Sequence, residues 1–312
     1  MPNSDLAETD HIIWVKMNKT KSAFVSIIGL PSVGKSTILN ALTGVKLSIV
    51  SSKAQTTRRK IMGILTENDT QLVFVDTPGF HAPKNALGEK MIKDINTTFD
   101  DCDIIILVVD ARSKDINVEE QQLINKIKNS SLPSILVINK VDLVKDKKKI
   151  IDKIESFSAC HNFDIVIPIT ATKEKDISLL KKELMKLAPE GPHYFEENEL
   201  TNLTEREIVA DFIRQASLQF LQKEIPHGIA ITVEKMKRKN KVIHIDAVIY
   251  CEKDSHKGII IGKNGEMLKK IATAARLQTE DFLKMKVNLN CRVKTAKNWR
   301  DDVNFISGME DQ

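Results

Sequence analysis

The sequence predicts an α/β domain built on a mostly parallel, doubly wound sheet, followed by a small α+β domain. Three observations carry this. Between Phe24 and about Leu187, short apolar β-branched runs alternate with amphipathic stretches of helical length. The segment "APEGPHYFEENELTN", rich in Pro, Gly, Glu and Asn, then breaks the pattern. Beyond it both the order of elements and the charge change. Between Lys235 and Arg300 there are 17 Lys+Arg against 6 Asp+Glu, so a chain of net charge +5 carries +11 here and −6 elsewhere. The expected organisation is an unstructured N-terminal extension over 1–20, the α/β domain over 21–189, a linker over 190–203, the second domain over 204–300 and a tail over 301–312. Met17 is read as the natural start.

The strands of the first domain are "FVSIIG", "QLVFVD", "DIIILVVD", "SILVIN" and "DIVIPIT", apolar almost throughout, as strands covered on both faces are. "VEEQQLINKIKN" and "DISLLKKELMKL" show helical spacing most clearly. In the second domain Thr204 and Glu207 form a capping box that opens a helix. "GIAITVEKM" and "KVIHIDAVIYC" follow as strands joined by the basic turn "KRKN", then a glycine loop, the helix "EMLKKIATAARLQ" and the strand "KVNLNCRVK". The four cysteines are far apart and form no CxxC pair, which argues for a reducing compartment and against zinc or disulfides. Apolar runs are strand-sized, and the N-terminus lacks the pattern of a signal peptide.

"GLPSVGKS", Gly29 to Ser36, fits G-x-x-x-x-G-K-[ST] between a strand and a helix. Glycines let backbone N–H groups wrap a phosphate at a helix N-terminus. Gly29, Ser32, Val33, Gly34, Lys35, Ser36 and Thr37 are the candidate phosphate cradle, with Lys35 reaching the β- and γ-phosphates and the Ser36 hydroxyl ligating Mg²⁺. "DTPG" places Asp76 at a strand end, where it would hold the magnesium shell through water, and Gly79, whose N–H would sense a γ-phosphate. "NKVD" supplies Asp142, whose carboxylate would accept from guanine N1–H and the exocyclic amine; Asn139 and Lys140 would buttress and cover the base. Thr170 and Ala171 of "TAT" would meet the guanine O6 through the Ala171 N–H. These motifs, in this order and each at a strand end, imply a GTP-binding domain. The switch regions are then Gln55, Thr56, Thr57 and Arg58, and Asp76, Thr77, Pro78, Gly79 and Phe80, with Thr57 preferred over Thr56 as the magnesium ligand. Phe80 stands where Ras-like enzymes place the glutamine that orients water, so slow unaided hydrolysis is expected. Arg58 and Arg59 are candidates for an arginine finger, a solvated or RNA-facing role being the alternative.

The second glycine loop, Ile261, Gly262, Lys263, Asn264 and Gly265, lacks the Lys-Ser/Thr of a nucleotide loop. Its I-G-x-x-G string, before a helix and between strands, is the layout of a KH domain of type II, whose loop clamps single-stranded RNA. Lys257, Lys269, Lys270, Arg292 and Lys294 are the candidate phosphate contacts. Trp299 either caps the domain core or stacks on a base.

On "KAQTTR", "DTPGF", "NKVD", their intervals and this second domain, the chain resembles the Era family of bacterial GTPases from about Lys21 to Arg300. The resemblance implies slow GTP hydrolysis, binding of the 3′ end of small-subunit rRNA and a role in 30S subunit maturation. It also implies a cytoplasmic monomer, with contact at the inner membrane left open and DNA excluded. Ser32 departs from the family, which usually has Asn there; in related GTPases that Asn helps to hold potassium, so potassium stimulation is in doubt. "TAT" replaces the more usual S-A-T. Competing readings are a GTPase whose main partner is a membrane or protein, against which the G-x-x-G loop argues, and an RNA-binding protein with a structural nucleotide, against which the intact switch residues argue.

Overall fold

The computed structural model describes residues 19–51, 57–80, 85–113 and 115–308; Gln55, Thr56 and Met17 lie outside them. The first domain comprises β1 (Lys21–Ile28), α1 (Lys35–Thr43), β2 (Ile61–Glu67), β3 (Thr70–Asp76), α2 (Ala86–Asp100), β4 (Ile104–Asp110), α3 (Val118–Ser130), β5 (Ser134–Asn139), α4 (Lys147–Cys160), β6 (Ile165–Ile169) and α5 (Glu174–Leu187). Its six-stranded sheet has the order β2-β3-β1-β4-β5-β6, parallel except for β2. Alternation along β4 sends Ile104, Ile106 and Val108 to one core, and Ile105, Leu107 and Val109 to the core shared with α3 and α4. The parallel strands therefore end together at one edge, where the order reverses between β1 and β4 and a ligand crevice forms.

The apolar pattern does not announce β2, because Gly63 interrupts it. Here that glycine is a packing requirement: a Cβ would lie 2.8 Å from Leu39 Cδ1 and Thr43 Cγ2 of α1. The segment 190–203 is irregular but well tied. Gln71 accepts from the Tyr194 and Phe195 N–H groups at 2.8 and 3.0 Å, and Thr201 and Asn202 bond Met62 of β2 at 2.7 and 3.0 Å.

The second domain runs α6 (Glu205–Phe220), β7 (Ile229–Lys239), β8 (Val242–Cys251), α7 (Asp254–Ile261), α8 (Glu266–Leu283), β9 (Lys286–Thr295) and α9 (Val303–Gly308). The predicted capping box at Thr204 and Glu207 is present. β7 pairs antiparallel with β8, and β9 parallel with β8. The turn is tighter than "KRKN": Arg238 and Lys239 still pair, and only Asn240 (φ 48°) and Lys241 (φ 64°) turn the chain, as a two-residue hairpin with both residues left-handed requires. "KGIII", unassigned by the sequence pattern, belongs to α7, and the predicted tail contributes α9. α6, α7 and α8 cover one face of the sheet through Val209, Ile213, Ile260, Ile271 and Ala275.

Trp299 packs rather than stacks on a base, and its packing spans both domains. It is 1% exposed, donates Nε1–H to Gly228 O at 3.0 Å, and packs with Leu87 and Met91 of α2, Ala230 and Ile306, so it seals the join between domains. Arg58 completes that join. Its guanidinium lies 5.4 Å from the Trp299 ring centroid and donates to the His227 and Ile229 carbonyls, each at 2.7 Å. Arg59 pairs with Glu207 and Asp211 of α6 at 2.7 and 2.9 Å. Both arginines face the second domain, so neither a finger role nor a solvated one survives. Lys46 adds a bond to Gln278 at 2.8 Å.

Arg58→Ala removes two charge-assisted bonds and a cation–π contact, at an expected cost of about 3 kcal/mol to domain docking. Small-angle scattering should report a larger radius of gyration with far-UV circular dichroism unchanged.

Candidate nucleotide site and RNA interface

The phosphate loop bridges β1 and α1 in a backbone path that few residues adopt. Gly29 has φ 148° and Gly34 φ 107°; a Cβ on Gly29 would come within 2.3 Å of Val108 O, and one on Gly34 within 2.2 Å of Asn139 Nδ2. No side chain caps α1, so its first N–H groups open onto a cleft of about 300 Å³ lined by Pro31, Ser32, Lys35, Thr37, Arg112 and Lys140 among others.

Below the loop, oxygen donors converge. Ser36 Oγ lies 3.0 Å from Thr57 Oγ1 and 2.8 Å from Asp76 Oδ2; Thr57 is 3.3 Å from the same carboxylate oxygen. Asp76 Oδ1 is buried and has no partner among the described residues. Two hydroxyls and a carboxylate with an unused buried oxygen suit a hard divalent cation such as Mg²⁺. Asp76 meets Ser36 directly here. Ser48, which no motif flags, donates to Asp76 at 2.9 Å and is itself held through Asn40.

Lys35 bends back over the loop, donating to Gly29 O and Leu30 O, both at 3.0 Å. Burial pulls its pKa down to about 8, opposed by the charge of Asp76. Burial raises the Asp76 carboxyl, opposed by Lys35 and by the hydrogen bonds of Ser36, Ser48 and Thr57. Thr77 donates to Ile27 O at 3.1 Å, and a Cβ on Gly79 would lie 2.9 Å from Pro31, so the "DTPG" loop rests on the phosphate loop. Phe80 packs on the core beneath α3, with Lys126 Nζ 5.4 Å from its ring centroid.

At the base end Asn139 is buried and bonded at both ends of its amide. Its Nδ2 donates to Val33 O at 2.9 Å, and its Oδ1 accepts from the N–H groups of Lys140 (2.8 Å) and Ala171 (3.1 Å). The N–H expected to meet the guanine O6 thus already serves Asn139. Asp142 accepts from Thr170 Oγ1 at 3.2 Å, and Asp176 holds the Thr170 N–H at 2.7 Å. Lys140, left-handed at φ 66°, donates to Ser32 O at 2.5 Å and to Asp110 at 2.9 Å. Asp110 also accepts from the Arg112 N–H at 2.9 Å and from its guanidinium at 3.0 and 2.7 Å. Asp110 and Arg112 escaped the motif reading. Asp110 ends the strand "DIIILVVD", and the strand-end rule that found Asp76 and Asn139 applies to it equally.

In the second domain α7 ends at Gly262 (φ 74°), and Asn264 and Gly265 are also left-handed. A Cβ on Gly262 would meet Met267 N at 2.9 Å. Lys263 and Asn264 project from the loop; Lys257 on α7 and Lys269 and Lys270 on α8 are exposed near it. Ile261 is half-buried against the core. Arg292 and Lys294 do not join this group. Alternation along β9 puts them on the sheet face away from the helices, where both pair with Glu234 at 2.6 and 3.0 Å.

A phosphate loop, switch and base loop on a doubly wound sheet, with a G-x-x-G domain after them, define a guanine-nucleotide-binding protein with an appended RNA-binding module. Residues 24–140 match the 50S ribosome-binding GTPase family and residues 224–300 the KH domain family. The chain is 46% identical over 288 residues to GTPase Era of Clostridium novyi (strain NT), covering 92% of this chain and 97% of that one. Against GTPase Era of Clostridioides difficile (strain 630) the identity is 44% over 289 residues, covering 92% and 97%. A crystal structure of Era in complex with MgGDPNP and nucleotides 1506–1542 of 16S ribosomal RNA superposes with a TM-score of 0.89 at 32% identity, covering 93% of this chain and 98% of that one. An Aquifex aeolicus Era variant bound to GDP and AlF4⁻ gives the same TM-score and identity, covering 93% and 99%. The chain belongs to the Era family of GTPases.

The low pKa of Lys35 has a pH signature. Between about 8 and its ordinary value of 10.5 the empty folded site binds less proton at Lys35 than the unfolded chain, so this group makes stability rise with pH there. A bound phosphate restores the charge, so nucleotide binding takes up a proton and weakens as pH rises through 8. Titration calorimetry with GDP at pH 8.5, in buffers of different ionisation enthalpy, should show proton uptake.

Proposed function

We propose that this protein is a GTP-hydrolysing switch that binds single-stranded RNA through its second domain, the RNA being the 3′ end of small-subunit rRNA and the process 30S subunit maturation. The observation that carries the switch is the step from Thr57 to Arg58. Thr57 belongs to the oxygen donors beneath the phosphate loop, and Arg58 is bonded to two carbonyls of the second domain. The Era complex holding both MgGDPNP and 16S rRNA nucleotides supports the pairing of nucleotide with RNA. Ser36 and Thr57 would hold Mg²⁺, with Asp76 acting through water; the ion would neutralise charge on the β- and γ-phosphates. Lys35, swung from its carbonyls, would take the γ-phosphate oxygens, Gly79 would sense them, and Asp142 would read the guanine. Phe80 offers no hydrogen bond to the attacking water, and Arg58 and Arg59 are committed elsewhere, so hydrolysis is slow without a partner.

Among the described residues no helix is long and apolar enough to cross a membrane. The proposed setting is a cytoplasmic monomer; peripheral contact with the inner membrane rests on family resemblance alone.

Affinity for a short single-stranded RNA copying the 3′ end of small-subunit rRNA tests the reading at fixed salt. With a GTP analogue it should be at least about fivefold tighter than with GDP, and RNA should tighten analogue binding by the same factor. Gly262→Asp should abolish it; equal binding with analogue, with GDP and with no nucleotide would overturn the switch. Ser32 sits at φ 64°, a conformation asparagine adopts more readily than serine. Ser32→Asn should therefore introduce stimulation of GTP hydrolysis by KCl over NaCl that the unaltered protein lacks.

A further inference from the structure

The join between the domains encloses a cavity of about 90 Å³ that backs onto the nucleotide cleft, Ile49 and Thr57 lining both. At 10–15 Å³ for each water-sized centre, that is room for about six to nine small atoms. Much of the wall is apolar. Ile49, Ile61 and Leu87 supply it from the first domain, and Ala230, Ile231 and Ile306 from the second. The rest is charged: Arg58 and Arg59 follow Thr57 in the chain, and Glu207, Asp211 and Arg214 come from α6.

The charges in that wall do not balance. Arg59 pairs with Glu207 and Asp211, at 2.7 and 2.9 Å. Arg58 is bonded to two backbone carbonyls, which carry no net charge. Three guanidiniums therefore share two carboxylates, and Arg214 is only 6% exposed. Arg300, which also acts on Arg58, is matched by Glu252 at 2.6 Å and leaves the count unchanged. Burial pulls Arg58 well below its ordinary pKa, and the charges of Arg214 and Arg300 pull it further. Burial likewise brings Arg214 down to about 10, opposed by the charge of Asp211. Cations crowded away from water are relieved by an anion.

Water in this cavity would supply no charge and would wet its apolar wall poorly. One ligand that meets both kinds of wall has an anionic head and an aliphatic tail. A carboxylate head matches the planar guanidinium fork with two parallel bonds. Its three heavy atoms leave room for a tail of about three to six carbons.

We propose that this cavity binds a short aliphatic carboxylate, which spans the two domains and braces their join at Arg58. The inference uses the domain join alone, so it stands or falls apart from the RNA and switch readings above.

The test uses the full chain saturated with GDP and Mg²⁺, which fills the nucleotide cleft, and sodium pentanoate as the probe, followed by ligand-observed NMR at constant ionic strength. Pentanoate should bind with a Kd of about 1 mM or tighter, and at least about tenfold tighter than pentanol or pentylamine. Arg214→Met keeps a long unbranched side chain without the charge; it should weaken pentanoate about tenfold and pentanol less than about twofold. Ala210→Leu puts a larger side chain into the cavity wall from α6 and should abolish pentanoate binding. GDP affinity within about twofold of the unaltered protein would report an intact first domain in both variants. In the unaltered protein, pentanoate should slow hydrogen exchange over 57–61 and 207–214, the two segments it bridges. Absence of saturable pentanoate binding would overturn the proposal. So would equally tight binding of pentanol or pentylamine, pentanoate affinity unchanged in either variant, or binding without slowed exchange in those segments.

Discussion

Thr57 and Arg58 are consecutive residues whose side chains serve different domains. Thr57 lies within hydrogen-bonding distance of Ser36 and Asp76; Arg58 is bonded to the carbonyls of His227 and Ile229. Consecutive α-carbons are held 3.8 Å apart, so no slack separates the two commitments. A guanidinium presents its donors in a fixed planar fork, which makes the second domain's hold directional. A shift of Thr57 toward an incoming cation must be absorbed by the Thr57–Arg58 torsions or passed to the sheet edge at β7. Order–disorder switches elsewhere act through such shared short segments.

Carboxylates at strand ends hold the two ends of the nucleotide cleft. Asp76 gathers Ser36, Ser48 and Thr57 at the phosphate end. Asp110 gathers Lys140 and Arg112 at the base end, and Lys140 in turn holds the carbonyl of left-handed Ser32. Their electrostatics are opposite. Burial raises Asp76, whose Oδ1 has no partner among the described residues. Burial also acts to raise Asp110, but the bonds from Arg112 and Lys140 outweigh it and hold that carboxyl well below the usual range. An unsatisfied carboxylate is available to a ligand's cation, whereas a saturated one serves as a fixed strut.

Most of the sheet was legible because its strands are uninterrupted apolar runs, and the phosphate and base loops because motif and strand end coincide. What escaped has physical reasons. β2 was hidden by Gly63, a residue that local pattern reads as a break but that packing against α1 demands. Asp110 has no spacing signature; it matters because Lys140, just past the end of the adjacent strand, and Arg112 both bond to it. Arg58 and Arg59 looked like finger, solvated or RNA-facing groups, and Trp299 like a core cap or a base platform, because nothing local in sequence encodes a domain interface. The same blindness placed Arg292 and Lys294 with the G-x-x-G lysines, although the two-residue period of β9 already put them on a face of their own.

The segment 190–203 also bears on how the chain is made. β2 is the outer strand of the sheet, and its pairing groups meet the later segment through the Ile64 N–H to Leu200 O bond, 2.9 Å, and the isolated bridge between Gly63 and Thr201. An uncovered antiparallel edge invites strands from other molecules to add to it. During synthesis the whole first sheet emerges before residue 200 does, so for roughly ten seconds or less at ordinary elongation rates a nearly complete domain carries an open edge. The linker is thus also an edge guard, and a chain cut before it would be more prone to aggregate than its intact core suggests.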